Sequence, residues 1–271
     1  MDILQEFCSK DLHTRYAVSE APNDKDFTMH VHESCEIFYF LSGNAEYLVE
    51  GARYPLEPGS LLIMRPTESH RARILGCERY ERYTLNFPVS AVDCIDPERR
   101  LLKAFFERPL GRGNFYTSDK TRLERIFYDM CRCNTDNYGK RLKILINLFT
   151  LLDIIDKAYL KRDSAEYTEP ENLSEQIVAY VNANLFKKIS VPLLAEKFFL
   201  SVSQFSRIFK QATGAAPWEY ITIKRLTSAK EKIRRGASAQ YAAESCGFGD
   251  YSAFYRSYVK YFGHSPKNHG G

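Results

Sequence analysis

Two stretches near the end of the chain carry one pattern, FSRIFKQATGAAP at residues 205–217 and FYRSYVKYFGHSP at residues 254–266, which lie 49 positions apart. In each copy two aromatic residues stand four positions apart with an arginine between them, and a glycine and a proline follow at equal distances. The matched pairs are Phe205 with Phe254, Arg207 with Arg256, Phe209 with Tyr258, Gly214 with Gly263, and Pro217 with Pro266. Residues four apart share one side of a helix. The repeat therefore predicts one structural unit used twice, whose helix buries aromatic rings and exposes a cation.

Charge is unevenly divided between the two halves of the chain. From Leu173 onward there are fourteen Lys and Arg against six Asp and Glu, a net charge of +8, whereas the first 172 residues have twenty-four against twenty-eight, a net charge of −4. A compact basic domain attracts a polyanion, and the release of counterions then favours binding. We therefore expect the C-terminal part, and not the N-terminal part, to bind nucleic acid.

Each copy of the pattern follows a short predicted helix and a tight turn. In the first unit the small Ala195 allows two helices to cross closely, and Ser201 begins the next helix; in the second unit Ala242, Gly247 and Asp250 take the crossing, turn and capping places. Two helices joined in this way form a helix-turn-helix motif, whose second helix enters the major groove of DNA.

A helix predicted over residues 217–235 connects the two units. Its nineteen residues span about 28 Å at about 1.5 Å per residue. This length is close to the roughly 34 Å between successive major-groove faces on one side of the duplex. One chain is therefore expected to reach two adjacent grooves.

The outward face of each second helix supplies the candidate DNA contacts. Arg207 and Arg256 are expected to contact bases, because arginine to guanine is the commonest specific contact, while Lys210 and Lys260 are expected to contact phosphate. The neighbouring candidates are Ser203, Gln204, Ser206 and Gln211 on the first helix and Tyr251, Ser252 and Tyr255 on the second. A single arginine on a helix is usually a solvated side chain, but two at equivalent places of a repeated unit favour base contact.

Residues 173–266 resemble the DNA-binding domain of the AraC/XylS family of transcription regulators. The tract GFGDYSAFYRSYVKYFGHSP is similar to the most diagnostic signature of that family, and FSRIFKQATGAAPWEYITIKRLTSAK resembles its first unit and connecting helix. Two departures are Ser238 and Tyr241, where the family usually has branched apolar residues, and the ending KNHGG, which lacks the family's Tyr-Arg pair. The resemblance implies a transcription regulator whose partners are double-stranded promoter DNA, RNA polymerase and a small-molecule effector.

The N-terminal part has the pattern of strands. From Phe27 to Phe87, short runs alternate apolar and polar residues, and turn signals recur about every eight positions. The turns are predicted at Ser42-Gly43-Asn44, Glu50-Gly51 and Glu57-Pro58-Gly59. This rhythm is typical of an antiparallel meander that forms a small barrel or sandwich.

After Pro97 the apolar spacing becomes that of helices. The longest helical pattern, RLKILINLFTLLDIIDKAYLKR, lacks Gly and Pro, and its apolar stripe consists of Leu142, Leu145, Leu148, Phe149, Leu152 and Ile155. Such a stripe packs on the barrel or, in part, against the same helix of a second subunit, and we expect a homodimer. The polar, acidic and proline-containing residues 163–172 are expected to form a linker.

The stretch HVHESCEIFYFLSG matches the first cupin motif through His30, His32, Glu36 and a following glycine, and His70 stands where a later cupin histidine is expected. The second motif is imperfect, because Glu68 lies near the place of its glycine. The region resembles the cupin sensor domain that is common in the same regulator family.

The four cupin-like residues are the candidate effector-binding site. Two histidines at i and i+2 of a strand project to one face, where Glu36 of the next strand and His70 are expected to converge inside the barrel. Three imidazoles and a carboxylate suit a divalent metal. The same residues suit contacts to an organic effector, or hydrogen bonds within the barrel, and the sequence leaves these three roles open.

Bulk features narrow the class of protein further. The sequence has no run of eighteen apolar residues, and its N-terminus lacks a basic segment followed by an apolar one, so neither a membrane span nor a signal peptide is indicated and the cytoplasm is expected. Seven cysteines without paired CxxC spacing predict reduced thiols rather than a structural zinc site. Cys131 and Cys133 stand two apart on a predicted helix and so point apart.

Together these patterns predict an α+β multidomain protein. Residues 1–95 are expected to form a cupin-like β-barrel, residues 96–162 helices for packing and dimerisation, and residues 173–271 an all-α domain with two helix-turn-helix units joined by a long helix. The predicted function is ligand-responsive, sequence-specific transcription regulation, without enzymatic activity or a required cofactor, and with a sugar or another small metabolite as effector. The alternative is a metal-dependent cupin enzyme or a metal sensor fused to a DNA-binding domain. The operator, the effector and the direction of regulation are left open by the sequence.

Overall fold

The structure is a computed structural model, and it describes residues 2–9, 12–93, 95–116, 119–131, 136–162 and 172–266. Its contacts divide the chain into two compact units. The first contains Met1–Thr28 and Ser34–Glu169, and the second contains Met29–Glu33 and Pro170–Gly271. The predicted linker, apart from its last residue, lies outside the described residues, as do Cys133 and the ending KNHGG.

In the part of the first unit that the structure describes, nine strands form two antiparallel sheets. The strands are β1 (Asp2–Cys8), β2 (His13–Ser19), β3 (Cys35–Ser42), β4 (Ala45–Val49), β5 (Ala52–Pro55), β6 (Leu61–Met64), β7 (His70–Ile74), β8 (Tyr80–Phe87) and β9 (Phe115–Tyr116). The larger sheet has the order β1-β2-β8-β3-β6-β9, and the smaller one has the order β5-β4-β7.

The central strand β3 is buried on both faces. Its residues Ile37 and Tyr39 belong to a core shared with the helices, and Tyr39 stacks on the ring of Phe127 with centroids 4.9 Å apart. Phe38 and Phe40 belong to a second core that lies between the two sheets. Because successive side chains of a strand alternate between its faces, the nearly continuous apolar run of β3 is explained by the two cores.

Helices cover one face of the larger sheet. They are α1 (Ser90–Asp93), α2 (Lys103–Phe106), α3 (Lys120–Cys131) and α4 (Asn137–Leu160). Asp136 caps α4 by accepting a hydrogen bond from the backbone N–H of Gly139 at 2.9 Å. Leu148, Leu152 and Ile155 of the predicted stripe are buried, as expected for a helix that packs on a core.

The second unit consists of helices. They are α5 (Leu173–Ala183), α6 (Val191–Lys197), α7 (Val202–Thr213), α8 (Pro217–Arg234), α9 (Ala239–Ser245) and α10 (Tyr251–Phe262). One apolar core joins α5, α6, α7 and the first half of α8, and another joins the second half of α8 with α9 and α10. Among the helices of the described ranges, none combines the length and apolar character needed to cross a bilayer.

The predicted fold class is confirmed, since a unit rich in sheet precedes a helical one. Two details differ from the prediction. The strands β1 and β2 extend the sheet upstream of the predicted meander, and the helical region contains the short strand β9. Leu142 of the predicted stripe is 48% exposed, so that part of the stripe does not enter the core of its own unit.

Candidate DNA-binding surface and sensor interior

The first candidate DNA-reading unit is formed by α6 and α7. After α6 the backbone becomes left-handed at Phe199, with φ 55°, and the N–H of Leu200 donates to the carbonyl of Ala195 at 2.9 Å. Ser201 then caps α7 in a capping box, since its hydroxyl accepts from the N–H of Gln204 and the Gln204 side chain accepts from the N–H of Ser201. These local bonds fix where the second helix begins.

The second DNA-reading unit, formed by α9 and α10, repeats this geometry. Gly247 is left-handed with φ 82°, and the N–H of Phe248 donates to the carbonyl of Ala243 at 3.0 Å. Asp250 caps α10 by accepting from the N–H of Ala253 at 2.7 Å. The repeated sequence pattern therefore coincides with a repeated helix-turn-helix geometry.

The aromatic residues of the repeat face inward in both units. Phe205, Phe209 and Phe254 are fully buried, and Tyr258 is 2% exposed. The rings of Phe205 and Phe209 lie 6.0 Å apart, and those of Phe254 and Tyr258 lie 5.4 Å apart. Each second helix is thus anchored on one side, which leaves its opposite side for a ligand.

The predicted DNA-contacting side chains lie on that opposite side. On α7 the exposed candidates are Ser203, Gln204, Arg207, Lys210 and Gln211, and Ser206 is half-buried. On α10 the exposed candidates are Tyr251, Ser252, Tyr255, Arg256 and Lys260. Within the described residues, neither Arg207 nor Arg256 is engaged by another side chain or carbonyl, so both guanidinium groups are available to an outside partner.

Gln204 has a structural role that the sequence analysis did not assign. Its side-chain oxygen accepts from the backbone N–H and from the hydroxyl of Ser201, at 3.0 and 2.9 Å. The signal for this role was present in the sequence, because Ser followed three residues later by Gln is a capping-box pattern.

The connecting helix α8 contains 18 residues, from Pro217 to Arg234, and is about 27 Å long at about 1.5 Å per residue. Its first half contributes Tyr220 and Ile221 to the first core, and its second half contributes Leu226 and Ile233 to the second. The helix therefore connects the two DNA-reading units by packing into the core of each.

In the sheet-rich N-terminal unit, Glu36 and His70 lie together in the interior. Glu36 of β3 accepts from Tyr47 Oη at 3.4 Å and from Asn86 Nδ2 at 2.7 Å. His70 of β7 lies with Nδ1 2.7 Å from the carbonyl of Glu68 and with Nε2 3.8 Å from Glu36 Oε2. Burial works to lower the pKa of His70, but the hydrogen bond and the negative charge of Glu36 outweigh it and raise this pKa.

His30 and His32 belong to the segment Met29–Glu33 of the second unit, and their ring centroids are 6.1 Å apart. The expectation that both stand on one strand was wrong. His30 makes an isolated bridge and His32 has no regular structure, because β3 begins only at Cys35. Of the four predicted site residues, Glu36 and His70 therefore lie together in the sheet-rich unit, whereas His30 and His32 belong to the other unit.

Sequence reasoning missed a polar row on β8 that faces the same interior as Glu36. The guanidinium of Arg82 lies 6.0 Å from the ring centroid of Phe38 and 5.9 Å from that of Tyr80. Burial works to lower the pKa of Arg82, but the nearby Tyr80, Tyr47 and Glu36 raise it. The signal was the alternation in YERYTLNF, where every second residue from Tyr80 is polar or amphipathic.

Glu68, which lies near the expected cupin glycine, is fully buried with Arg108. Two guanidinium nitrogens of Arg108 donate to its two carboxylate oxygens at 2.8 and 2.7 Å, and the N–H of Gly111 donates at 2.8 Å. Burial alone would raise the pKa of Glu68, but the charge and hydrogen bonds of Arg108 lower it to about 2. This carboxylate therefore joins the loop before β7 to residues 108–111.

Comparison with known proteins agrees with this architecture. Residues 14–152 match the model of the AraC-like ligand binding domain, and residues 194–269 match that of a helix-turn-helix domain. The HTH-type transcriptional activator RhaS of Salmonella heidelberg is 31% identical over 254 residues, which cover 89% of this chain and 87% of that protein.

Two further matches span nearly the whole chain. The probable transcriptional regulator LumQ of Photobacterium leiognathi is 27% identical over 245 residues, which cover 90% of this chain and 92% of that protein. Among solved structures, unsaturated fatty acid bound ToxT from Vibrio cholerae has 12% identity and a TM-score of 0.42, and the match covers 95% of this chain and 94% of ToxT. The chain belongs to the AraC family of transcription regulators, with an AraC-like ligand-binding domain followed by a helix-turn-helix DNA-binding domain.

Proposed function

We propose that this regulator recognises promoter DNA through base contacts from α7 and α10, and that a small effector bound in the first unit controls this recognition. The observation that carries the proposal is the equivalent placement of Arg207 and Arg256. Both stand between inward-facing aromatic residues on helices that begin in the same way, and both are exposed. An arginine on a helix in the major groove can donate two hydrogen bonds to the O6 and N7 acceptors of guanine.

The test is the substitution Arg207→Ala, with duplexes selected by the full-length protein from a random-sequence library. We expect a loss of about 1–3 kcal/mol in binding free energy and a relaxed preference at one base pair. The matched variant Lys210→Ala is expected to weaken binding to all duplexes alike. It is also expected to lower the slope of log affinity against log salt concentration by about one. An Arg207→Ala protein with unchanged affinity and unchanged preference would refute the base-contact role.

For the effector we propose a sugar or another small polar metabolite. The interior of the first unit presents the carboxylate of Glu36, the imidazole of His70 and the guanidinium of Arg82 beside two tyrosines. Such groups hydrogen-bond hydroxyls and carboxylates. Effector binding would shift the population that is able to occupy DNA. A thermal-shift screen of metabolites identifies the effector, because a specific ligand stabilises the folded state by mass action.

A metal-dependent role is the second candidate, and the cupin-like sequence pattern of His30, His32, Glu36 and His70 is the observation that favours it. Three imidazoles and one carboxylate are suited to iron, manganese, zinc or nickel. Elemental analysis of the purified protein separates the candidates, since stoichiometric metal would favour a metal sensor or a metal-dependent cupin enzyme over a metal-free regulator.

We further propose that the regulator is a cytoplasmic homodimer that acts together with RNA polymerase and has no enzymatic activity. The apolar residues Tyr138, Leu142, Ile146 and Leu160 support the dimer, because they are exposed and share one side of α4. An exposed apolar stripe of this kind on a helix is suited to an identical helix from a second chain.

A further inference from the structure

The two helix-turn-helix units have separate apolar cores, and among the described residues these cores have no member in common. The first is centred on Phe205 and Phe209, the second on Phe254. Both are joined to α8, but long helices bend gently, and a small bend in the middle of α8 would move α7 and α10 relative to each other. A fixed separation of the two reading helices therefore requires a further contact near the middle of α8.

Arg225 supplies such a contact. It is 5% exposed and follows Ile221 of the first core while preceding Leu226 of the second. Its guanidinium donates three hydrogen bonds, from Nε to the carbonyl of Leu185 at 2.7 Å, from Nη2 to that of Lys187 at 2.7 Å, and from Nη1 to that of Gly247 at 2.8 Å.

The three carbonyls belong to both reading units. Leu185 and Lys187 lie between α5 and α6, two helices that share the core of the first DNA-reading unit. Gly247 lies in the turn between α9 and α10 of the second DNA-reading unit. The planar guanidinium has its donors in a fixed arrangement. One side chain therefore bonds the backbone of one reading unit to the backbone of the other.

Gly247 brings the same two segments into direct contact. A Cβ atom at this position would lie 2.7 Å from the carbonyl oxygen of Phe186 and 3.1 Å from Cζ of Arg225. The first distance is shorter than real Cβ atoms show and its partner is backbone, while the second would require Arg225 to shift by a few tenths of an ångström. Glycine therefore lets the second turn approach the backbone of the first DNA-reading unit this closely. The positive φ of 82° adds a second reason for glycine.

We propose that Arg225 and Gly247 fix the separation and rotation of α7 relative to α10, and thereby set the number of base pairs between the two half-sites that one chain recognises. The proposal rests on the DNA-binding function proposed above. Each inserted base pair moves a half-site by about 3.4 Å along the axis and rotates it by roughly a tenth of a turn. A rigid pair of reading helices accepts one spacing, whereas a loose pair accepts several. Arg225 is in this sense a positioning residue and does not itself read bases.

The test uses the full-length protein and its own selected duplex. Affinities are measured for that duplex, for duplexes with one base pair inserted or deleted between the half-sites, and for a duplex with one half-site scrambled. The wild-type protein is expected to lose on the order of 10- to 100-fold in affinity on a one-base-pair change, as for the loss of one or two base contacts. In Arg225→Met this spacing penalty is expected to fall several-fold, while affinity for the duplex with one intact half-site stays unchanged.

Two further variants keep the test independent of any single folding defect. Arg225→Lys retains the charge but lacks the planar fork, and its spacing penalty is expected to be intermediate. Gly247→Ala is expected to lower the penalty as well, and its matched control is Gly236→Ala, which has a φ of 97° but nothing within 4 Å of the added Cβ. Arg235→Met, an exposed arginine at the end of α8, is the charge control and should leave the penalty unchanged.

The outcomes separate this role from the DNA-binding function. If the wild-type protein enriches no sequence, the proposed function fails. If it enriches one but tolerates altered spacing, or if Arg225→Met and Gly247→Ala, shown to be folded by thermal unfolding, keep the full wild-type penalty, the spacing role alone is overturned.

Discussion

Phe199 and Gly247 occupy the same position in the turns of the two helix-turn-helix units, and both have a left-handed backbone, with φ of 55° and 82°. The residue after each donates its N–H to the carbonyl of an alanine five positions earlier, Leu200 to Ala195 and Phe248 to Ala243. One turn thus meets the conformational requirement with glycine, and the other forces a phenylalanine into a conformation that costs an ordinary residue about 1–2 kcal/mol.

We expect Phe199→Gly to raise the free energy of unfolding by about 0.5–1 kcal/mol. Phe199 is 98% exposed, so removal of its ring loses little burial, and the relief of strain exceeds the entropy that glycine gains in the unfolded chain. Urea denaturation measures the change. The control Phe199→Ala removes the same ring but retains a Cβ, so a glycine variant no more stable than this alanine variant would contradict the strain.

Local patterns of the helical C-terminal unit were predictable from the sequence, but contacts between distant parts of the chain were not. The inward aromatic residues and the caps Ser201 and Asp250 follow from spacings within one helix. The role of Arg225 depends on carbonyls about 40 and 22 positions away in the chain and therefore has no local signature. The same holds for Arg82, whose neighbours come from other strands or from two positions away on its own.

The prediction that His30 and His32 stand on one strand failed for a different reason. The alternation in HVH covers only three residues, which is too short to specify a strand, and the chain reaches the sheet only at Cys35. The first strand was not predicted because DILQEFC of β1 is largely exposed and its alternation is weak, so its place is decided by pairing with β2 rather than by burial.

The ion pair of Glu68 and Arg108 predicts that the unfolding free energy of the sheet-rich N-terminal unit decreases in acid. Because the pKa of Glu68 falls from its ordinary value of 4.5 to about 2 in the folded protein, its stabilisation is complete above about pH 4.5 and is lost as the pH falls toward 2. Glu68→Gln is expected to cost about 3–5 kcal/mol at pH 7, since Arg108 is left buried without its counter-charge. The pH dependence of its unfolding free energy should be flatter than that of the wild type in this range.

Unfolding in urea between pH 2 and pH 7 measures both effects. The matched control Glu57→Gln changes an exposed carboxylate in the same unit and should leave the curve close to that of the wild type. A Glu68→Gln protein with the same acid slope as the wild type would show that other carboxylates cause it.

The exposed apolar side of α4 predicts association between two chains. Ile146→Glu, in the middle of the stripe and 59% exposed in the single chain, is expected to weaken the dimer by at least about tenfold, because a carboxylate would have to be desolvated in an apolar contact. Sedimentation equilibrium measures the dissociation constant. Asn137→Glu adds the same single negative charge at an exposed position of α4 outside the stripe and should weaken the dimer less; equal effects of the two variants would argue against an α4 interface.

Gln204 allows the folding and the DNA-binding roles of α7 to be separated by one substitution. Glutamate is as good as glutamine at the third position of a capping box, and its negative charge is favourable near a helix N-terminus. Gln204→Glu should therefore keep or slightly raise the unfolding free energy measured in urea. In a groove between phosphates the same charge is repelled, so affinity for the selected duplex is expected to fall by about tenfold or more. Gln211→Glu, at the other end of α7, tests the same repulsion without a cap. If Gln204→Glu binds DNA as tightly as the wild type while Gln211→Glu does not, the N-terminal end of α7 lies outside the groove and the reading face must be assigned to its C-terminal half.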